Sequence, residues 1–240
     1  MTSPVPVAVF ASGSGTNVQA LLDAERGGRV AWRTRLLISD REDAGALARA
    51  KAAGIATEVI PVGGRDRAVV EAETLDALRG AEVEAVFLAG YLRLVPAGVV
   101  ARYPRRILNI HPALLPSFGG KGMYGRRVHE AVLASGARLS GPTVHFVDER
   151  YDEGTILAQW PVPVRPDDTP ETLAARVLSA EHLLYPLAAQ HLSEAVSEGR
   201  DPGPLQLPGE AWTLAESLND SAIFRRFQTT FTDETKDEDA

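Results

Sequence analysis

Apolar positions along the chain follow two alternating rhythms. Residues 5–11 form a short, almost unbroken apolar run closed by Ser12-Gly13, as in a buried strand. Residues 16–26 follow at helical spacing. The same alternation continues with a strand over 32–39 and an alanine-rich helix over 43–53 that ends at Gly54. A strand over 55–62, a helix over 66–78 and a strand over 83–89 come next. The last run is apolar nearly throughout, which suits a strand covered on both faces. Regular strand–helix alternation predicts parallel strands joined by crossover helices: a doubly wound, mostly parallel α/β sheet with helices on both faces.

The rhythm changes after the apolar run 107–110. Residues 117–127 carry glycines at 119, 120, 122 and 125 and predict a loop. A short helix over 128–135 follows, then strands over 140–147 and 155–164 joined by the charged turn 148–154. Residues 170–197 predict a long final helix, with Glu171 suited to its N-terminal dipole and Pro186 expected to kink it. Asp201-Pro202-Gly203-Pro204 has linker composition. Beyond it, 205–231 offers apolar residues to pack back on the body, and 232–240 is acidic and expected to fray. The expected division is a catalytic domain over 1–199 and an extension over 200–240.

Composition narrows the function classes. The 240 residues are 45% hydrophobic and 24% charged, ordinary for a globular enzyme. No apolar run approaches the roughly 18 residues of a membrane span, and the N-terminus lacks signal-peptide character. Cysteine is absent, which removes disulfides and thiolate chemistry and points to the cytoplasm. The net charge of −7 argues against nucleic acid as a partner.

Ser12-Gly13-Ser14-Gly15-Thr16-Asn17 joins the first strand to the first helix. In a doubly wound sheet, ligands bind beyond the carboxyl ends of the strands. Glycines let the backbone approach an anion, and a helix N-terminus supplies free N–H groups. The loop therefore predicts a phosphate site. The plain alternative is a tight turn with Thr16 as the helix cap. A dinucleotide site would need a glycine where Val18 stands; Asp40 lies near a ribose-binding position but equally suits a turn after the second strand.

Asn109-Ile110-His111-Pro112 carries the strongest hint of chemistry. Residues two apart on a strand point to one side, so Asn109 and His111 share a face. A carboxamide donor beside an imidazole suits a reaction at a carbonyl carbon. A carboxylate near His111 would raise its pKa and orient it. Asp148, Glu149, Asp152 and Glu153 are candidates, and spacing does not choose among them. His145 reads as a core or supporting residue, and His129, His182 and His191 as structural or surface residues. Glu181 is divided between a solvated face and a ligand-binding carboxylate. The histidine spacings give no metal signature, so no metal is expected.

Several segments in order carry a family resemblance: the glycine loop, Leu88-Ala89-Gly90-Tyr91-Leu92-Arg93-Leu94, Asn109 to Pro116, Val144-His145-Phe146-Val147, Tyr151-Asp152-Glu153-Gly154-Thr155-Ile156-Leu157 and Glu181-His182-Leu183-Leu184-Tyr185-Pro186. Over about residues 5–199 the chain resembles the folate-dependent phosphoribosylglycinamide formyltransferases. The resemblance implies a Rossmann-like formyltransferase fold. It also implies transfer of a formyl group from 10-formyltetrahydrofolate to the amine of glycinamide ribonucleotide, in purine synthesis. Asn109, His111 and Asp152 match the catalytic residues, with His111 as proton donor and Asp152 raising its pKa. Gly15, Thr16 and Asn17 match the phosphate segment, and Glu181 a ribose-contacting acid. Arg67 matches a folate-contacting arginine, with Arg65 as the alternative. Leu92, Arg93, Leu94, Val95, Asn109, Val147 and Asp148 match the folate pocket. The loop 117–127 is longer and richer in glycine than in many members, and the tail past Gly199 is longer.

Three rivals remain. A hydrolase releasing formate from the same folate is expected to carry an N-terminal regulatory domain, for which a first strand at Val5 leaves no room. A methionyl-tRNA formylating enzyme is expected to have a larger C-terminal domain and basic surfaces. A nucleotide-binding module would bind without turnover. The expected partners are the two small substrates, with no nucleic acid and no membrane, in a monomer or homodimer.

Overall fold

In the computed structural model, which describes residues 3–28 and 30–205, two apolar cores lie on opposite faces of a central sheet. The strands are β1 (Val5–Phe10), β2 (Trp32–Ser39), β3 (Ala56–Val59), β4 (Ala85–Leu88), β5 (Ile107–His111), β6 (Leu139–Ser140), β7 (Thr143–Phe146), β8 (Ile156–Gln159) and β9 (Val162–Pro163). The helices are α1 (Thr16–Arg26), α2 (Gly45–Ala52), α3 (Arg67–Gly80), α4 (Ala97–Arg102), α5 (Arg126–Ala134) and α6 (Pro170–Ser197). The main sheet runs β3-β2-β1-β4-β5-β7-β8. Its first five strands are parallel, whereas β7 and β8 pair antiparallel.

Alternation along each strand feeds both cores. Val7 and Val9 of β1 pack with α1, α2, α5 and α6, while Ala8 and Phe10 pack with α3 and α4. Helix α6 runs unbroken through Pro186, because burial of Leu184, Tyr185, Leu187 and Ala188 holds the segment around the missing amide. Its buried Tyr185 hydroxyl donates to the Leu88 carbonyl at 2.9 Å, tying the helix to the end of β4. The helix begins with Thr169 and Thr172 bonded reciprocally.

Several expectations need adjusting. The sequence pattern gives no sign of α4, a short helix with one buried residue, Val99, and hence little periodic signal. The strand expected over 140–147 divides into β6 and β7 at Gly141-Pro142, and that over 155–164 into β8 and β9 at Trp160-Pro161. Proline has no N–H for the ladder, and β6 pairs with β9 in a separate two-stranded sheet. The linker-like start of the extension lies against the body: the Leu205 amide donates to the Leu157 carbonyl at 2.9 Å, and Arg105 pairs with Asp201 at 2.5 Å. The expectations for 206–240 fall outside the described residues.

The order places a topological switch between β1 and β4, where the chain leaves in opposite directions and a crevice opens at the carboxyl ends. The two loops there are bonded together. The Ser12 amide donates to Gly90 at 3.0 Å, and the Leu92 amide donates to Ser12 Oγ at 2.9 Å. Beyond the crevice, the turn after β7 is drawn tightly against the sheet, and a Cβ on Gly154 would collide with the Phe146 carbonyl oxygen. Gly154→Ala should therefore lower the urea midpoint by an amount corresponding to about 3 kcal/mol or more. Gly63→Ala, where an added Cβ meets nothing within 4 Å, should leave it within about 0.5 kcal/mol. Equal midpoints for the two variants would contradict this account of the turn.

Candidate active site

Strand β5 delivers Asn109 and His111 to the crevice. Leu108 and Ile110 anchor the strand in the α6-side core, so the alternate residues point away from it. The turn between β7 and β8 brings Asp152 to the same point. Asp152 has φ 58°, a left-handed backbone that holds its carboxylate inward, and its side chain is 11% exposed. Its Oδ2 lies 3.5 Å from His111 Nδ1 and accepts from the Gly120 amide at 2.8 Å. Its Oδ1 is 3.4 Å from Asn109 Nδ2 and 3.7 Å from His145 Nε2. The three residues expected to form the reactive centre thus converge, and of the four candidate carboxylates Asp152 is the one in contact with His111.

His145 orders the amide. Its Nδ1 lies 2.8 Å from the Phe146 carbonyl, which fixes a donating Nδ1–H. Nε2 is then an acceptor for Asn109 Nδ2 at 3.0 Å. One amide hydrogen is committed to His145. The other meets Asp152 only at 3.4 Å, near the limit of a hydrogen bond, and remains competent to donate to a ligand.

Protonation follows from burial and neighbours. Burial pushes the Asp152 carboxyl up, but His111 and the Gly120 amide hold it below the ordinary carboxylate range, so it is ionised. Burial holds the His111 imidazole below its ordinary value. Asp152 and the Phe118 carbonyl, 2.9 Å from Nε2, work in the opposite direction without overcoming it. The expected upward push from Asp152 is therefore present but smaller than the cost of burying the cation.

The glycine loop leads into the same region. Gly15 caps α1 in a left-handed conformation with φ 76°, and a Cβ there would stand 2.7 Å from Ala46 Cα. No side chain among the described residues caps α1, so Thr16 opens the helix rather than capping it, and the N-terminal end of α1 is available to an anion. Asn17 Nδ2 donates to Glu181 Oε2 at 2.6 Å. Glu181 is buried on α6, and desolvation pushes its carboxyl up to about 7. It lines a cavity of about 470 Å³ with His111, Leu92, Tyr124 and His129.

A second cavity, of about 810 Å³, opens beside α3. Arg67, Arg65, Arg93, Leu94 and Val95 line it, together with Glu149 and Tyr151 from the charged turn. The arginines differ. Arg65 is engaged by Glu73 at 2.6 and 2.8 Å, whereas Arg67 has no ion pair among the described residues. Arg93 donates to buried Asp40 at 2.7 Å, so Asp40 orients this arginine. Leu92 lines the smaller cavity instead, Val147 packs against the α3-side core, and Asp148 accepts from the Arg150 amide at 2.8 Å within its own turn. His129, read from sequence as structural or surface, lies in the cavity of His111. Its helix is amphipathic with Val128 and Val132 buried, and a buried position beside Val128 was the available signal.

Comparison with known proteins follows this geometry closely. The formyl transferase family profile matches residues 5–189. The chain is 47% identical over 199 residues to a chloroplastic phosphoribosylglycinamide formyltransferase of Arabidopsis thaliana, covering 82% of this chain and 68% of that protein. It is 46% identical to the Vigna unguiculata protein of the same name, covering 78% of this chain and 61% of the relative. A crystal structure of phosphoribosylglycinamide formyltransferase from Brucella melitensis superposes with a TM-score of 0.73 at 45% identity, covering 80% of this chain and 96% of that one. On the extent of that match and the convergence of its motifs, the protein belongs to the formyl transferase family.

Proposed function

We propose that the protein transfers the formyl group of 10-formyltetrahydrofolate to the amine of 5'-phosphoribosylglycinamide, giving formylglycinamide ribonucleotide and tetrahydrofolate. The observation that carries this reading is the meeting of Asn109, His111 and Asp152 at the end of β5, where His111 lines the smaller cavity and Tyr151, next to Asp152 in the chain, lines the larger. The names of the relatives, which act on that ribonucleotide, agree. The catalytic unit is residues 1–199, with 200–240 as an extension. The protein acts in the cytoplasm as a monomer or homodimer, and its partners are the two small molecules.

The ribonucleotide takes the smaller cavity. Its phosphate lies at Gly15, Thr16 and Asn17, where the glycine turn and the helix N-terminus favour an anion. Its ribose hydroxyls meet Glu181, beside Asn17. The folate takes the larger cavity, with Arg67 and Arg93 offering positive charge to its carboxylates. Leu94 and Val95 offer apolar contact to its ring, Val147 and Asp148 border the turn, and Leu92 lies towards the amine. No metal takes part in this scheme.

When the amine attacks the formyl carbon, the carbonyl electron pair moves onto oxygen. Asn109 donates its second amide hydrogen to that oxygen, a contribution of about 10²–10³ in rate. His111, as imidazolium, stabilises the same charge and then gives its proton to the departing folate nitrogen as the carbon–nitrogen bond breaks, worth about 10²–10⁴, and the imidazole so formed takes up the proton that the attacking nitrogen loses. Asp152 favours the cation, opposing the burial that disfavours it. His111 Nε2 is engaged by the Phe118 carbonyl, so the substrate takes over that bond on binding.

With both substrates, the ultraviolet change of tetrahydrofolate release should require the ribonucleotide. Release from folate alone would instead identify a hydrolase, and binding without release a non-catalytic module. Asp152→Asn should lower kcat by about 100-fold or more while the KM for the ribonucleotide moves less than about threefold. Full activity in a variant that binds folate normally would break the assigned His111–Asp152 pairing.

Glu181 gives a second test. Its carboxyl is raised from 4.5 to about 7 in the fold. The stability it allows is fully present below pH 4.5 and is lost as pH rises through about 7, because the buried group must ionise. Ligand-free Glu181→Gln escapes that penalty. Its Tm advantage over the parent should be small at pH 5 and larger at pH 8.5, while its affinity for the ribonucleotide falls. A Tm difference independent of pH would contradict the buried carboxylate.

A further inference from the structure

His129 occupies an expensive position with no return inside the fold. It is 4% exposed, and its Nδ1 is enclosed without a hydrogen-bond partner. Neither ring nitrogen bonds to another described residue. Leaving a buried polar group unpaired costs about 1–3 kcal/mol. Its neighbours on α5, Val128 and Val132, are fully buried, so an apolar side chain would serve the packing as well. The ring lines the 470 Å³ cavity that also contains His111 and Glu181. An unpaired imidazole there has a bonding capacity that the protein itself does not use.

The charge state limits the ligand. Burial holds His129 below the ordinary histidine value, and His111 pushes the same way. The ring is neutral, with one donor and one acceptor. Such a group is a poor match for a phosphate or a carboxylate. Nδ1 is enclosed, so Nε2 is the nitrogen left to meet a ligand, and it matches either group of a carboxamide, the C=O or the N–H. The ribonucleotide carries a carboxamide between its ribose and its reacting amine. In this cavity Glu181 stands at the ribose end and His111 at the reaction centre.

We propose that His129 is a further binding residue for the ribonucleotide, hydrogen-bonding the amide of its glycinamide arm and so fixing the approach of the amine. This rests on the formyl-transfer reading above. The bond is worth up to about tenfold in affinity, the net value of one neutral hydrogen bond.

The test is calorimetric binding of two probes, 5'-phosphoribosylglycinamide and ribose 5-phosphate, which lacks the glycinamide arm. His129→Leu should bind the ribonucleotide about tenfold more weakly and ribose 5-phosphate within about twofold of the parent. His129→Gln, which keeps a donor and an acceptor, should recover part of the loss. The KM for the ribonucleotide should rise in step, with the KM for folate unmoved. Unchanged ribonucleotide affinity in His129→Leu, or an equal loss for both probes, overturns the proposal, the latter pointing to a purely structural ring. If the leucine variant unfolds, His129→Asn and His129→Gln carry the same comparison. A parent protein that binds neither probe overturns the formyl-transfer reading, an outcome separate from failure of the variants alone.

Discussion

The site is organised by one buried, ionised carboxylate. Asp152 stands where strand β5, the turn after β7 and the glycine-rich loop meet, and each supplies it with a partner: His111 and Asn109, the turn that carries it, and the Gly120 amide. A carboxylate at this depth pays a desolvation cost of several kcal/mol unless neighbours compensate. Here the compensation comes largely from the groups proposed to carry out the reaction. The same negative charge that needs those partners opposes the loss of the His111 proton, so stability and proton supply are coupled through one residue.

Much of the scaffold serves to bring this charge to its place. Gly154 lets the turn pass against Phe146, and a Cβ on Gly119 would stand 3.1 Å from Asp152 Cβ, so the loop reaches the carboxylate because it lacks side chains there. Of the glycines in 117–127, Gly119 is the one that this close approach requires. Across the crevice a second buried carboxylate, Glu181, has the neutral Asn17 amide as its hydrogen-bond partner among the described residues, and its pKa moves up instead of down. The contrast between the two acids follows from their partners: a protonatable imidazole and a backbone amide for one, a carboxamide for the other.

The order of elements was legible because strands and helices with one buried face leave periodic traces. Helices α1 and α6 and strand β2 lie within the boundaries the pattern predicts. Helix α4 was not legible, since six residues with a single buried position carry no period. The division of the late strands turned on Pro142 and Pro161, whose missing N–H groups were visible but whose effect on pairing depends on which strand lies opposite. At the site, the spacing of Asn109 and His111 predicted a shared face. Their partner came from family resemblance, because contact between residues 111 and 152 is a property of the fold. Arg67 and Arg65 are separable only once Glu73 is seen to hold Arg65. His129 escaped notice because a histidine among valines on a short helix reads as surface or core until its cavity is known.

The central claim is that Asp152 raises the proton affinity of His111 against the burial that lowers it. Nuclear magnetic resonance titration of the His111 imidazole in the parent and in Asp152→Asn measures this directly, without turnover. Removing the charge should move the His111 titration to lower pH, by about one unit if the coupling amounts to roughly 1.4 kcal/mol. An unchanged or higher titration point in the variant would show that Asp152 does not govern the His111 proton.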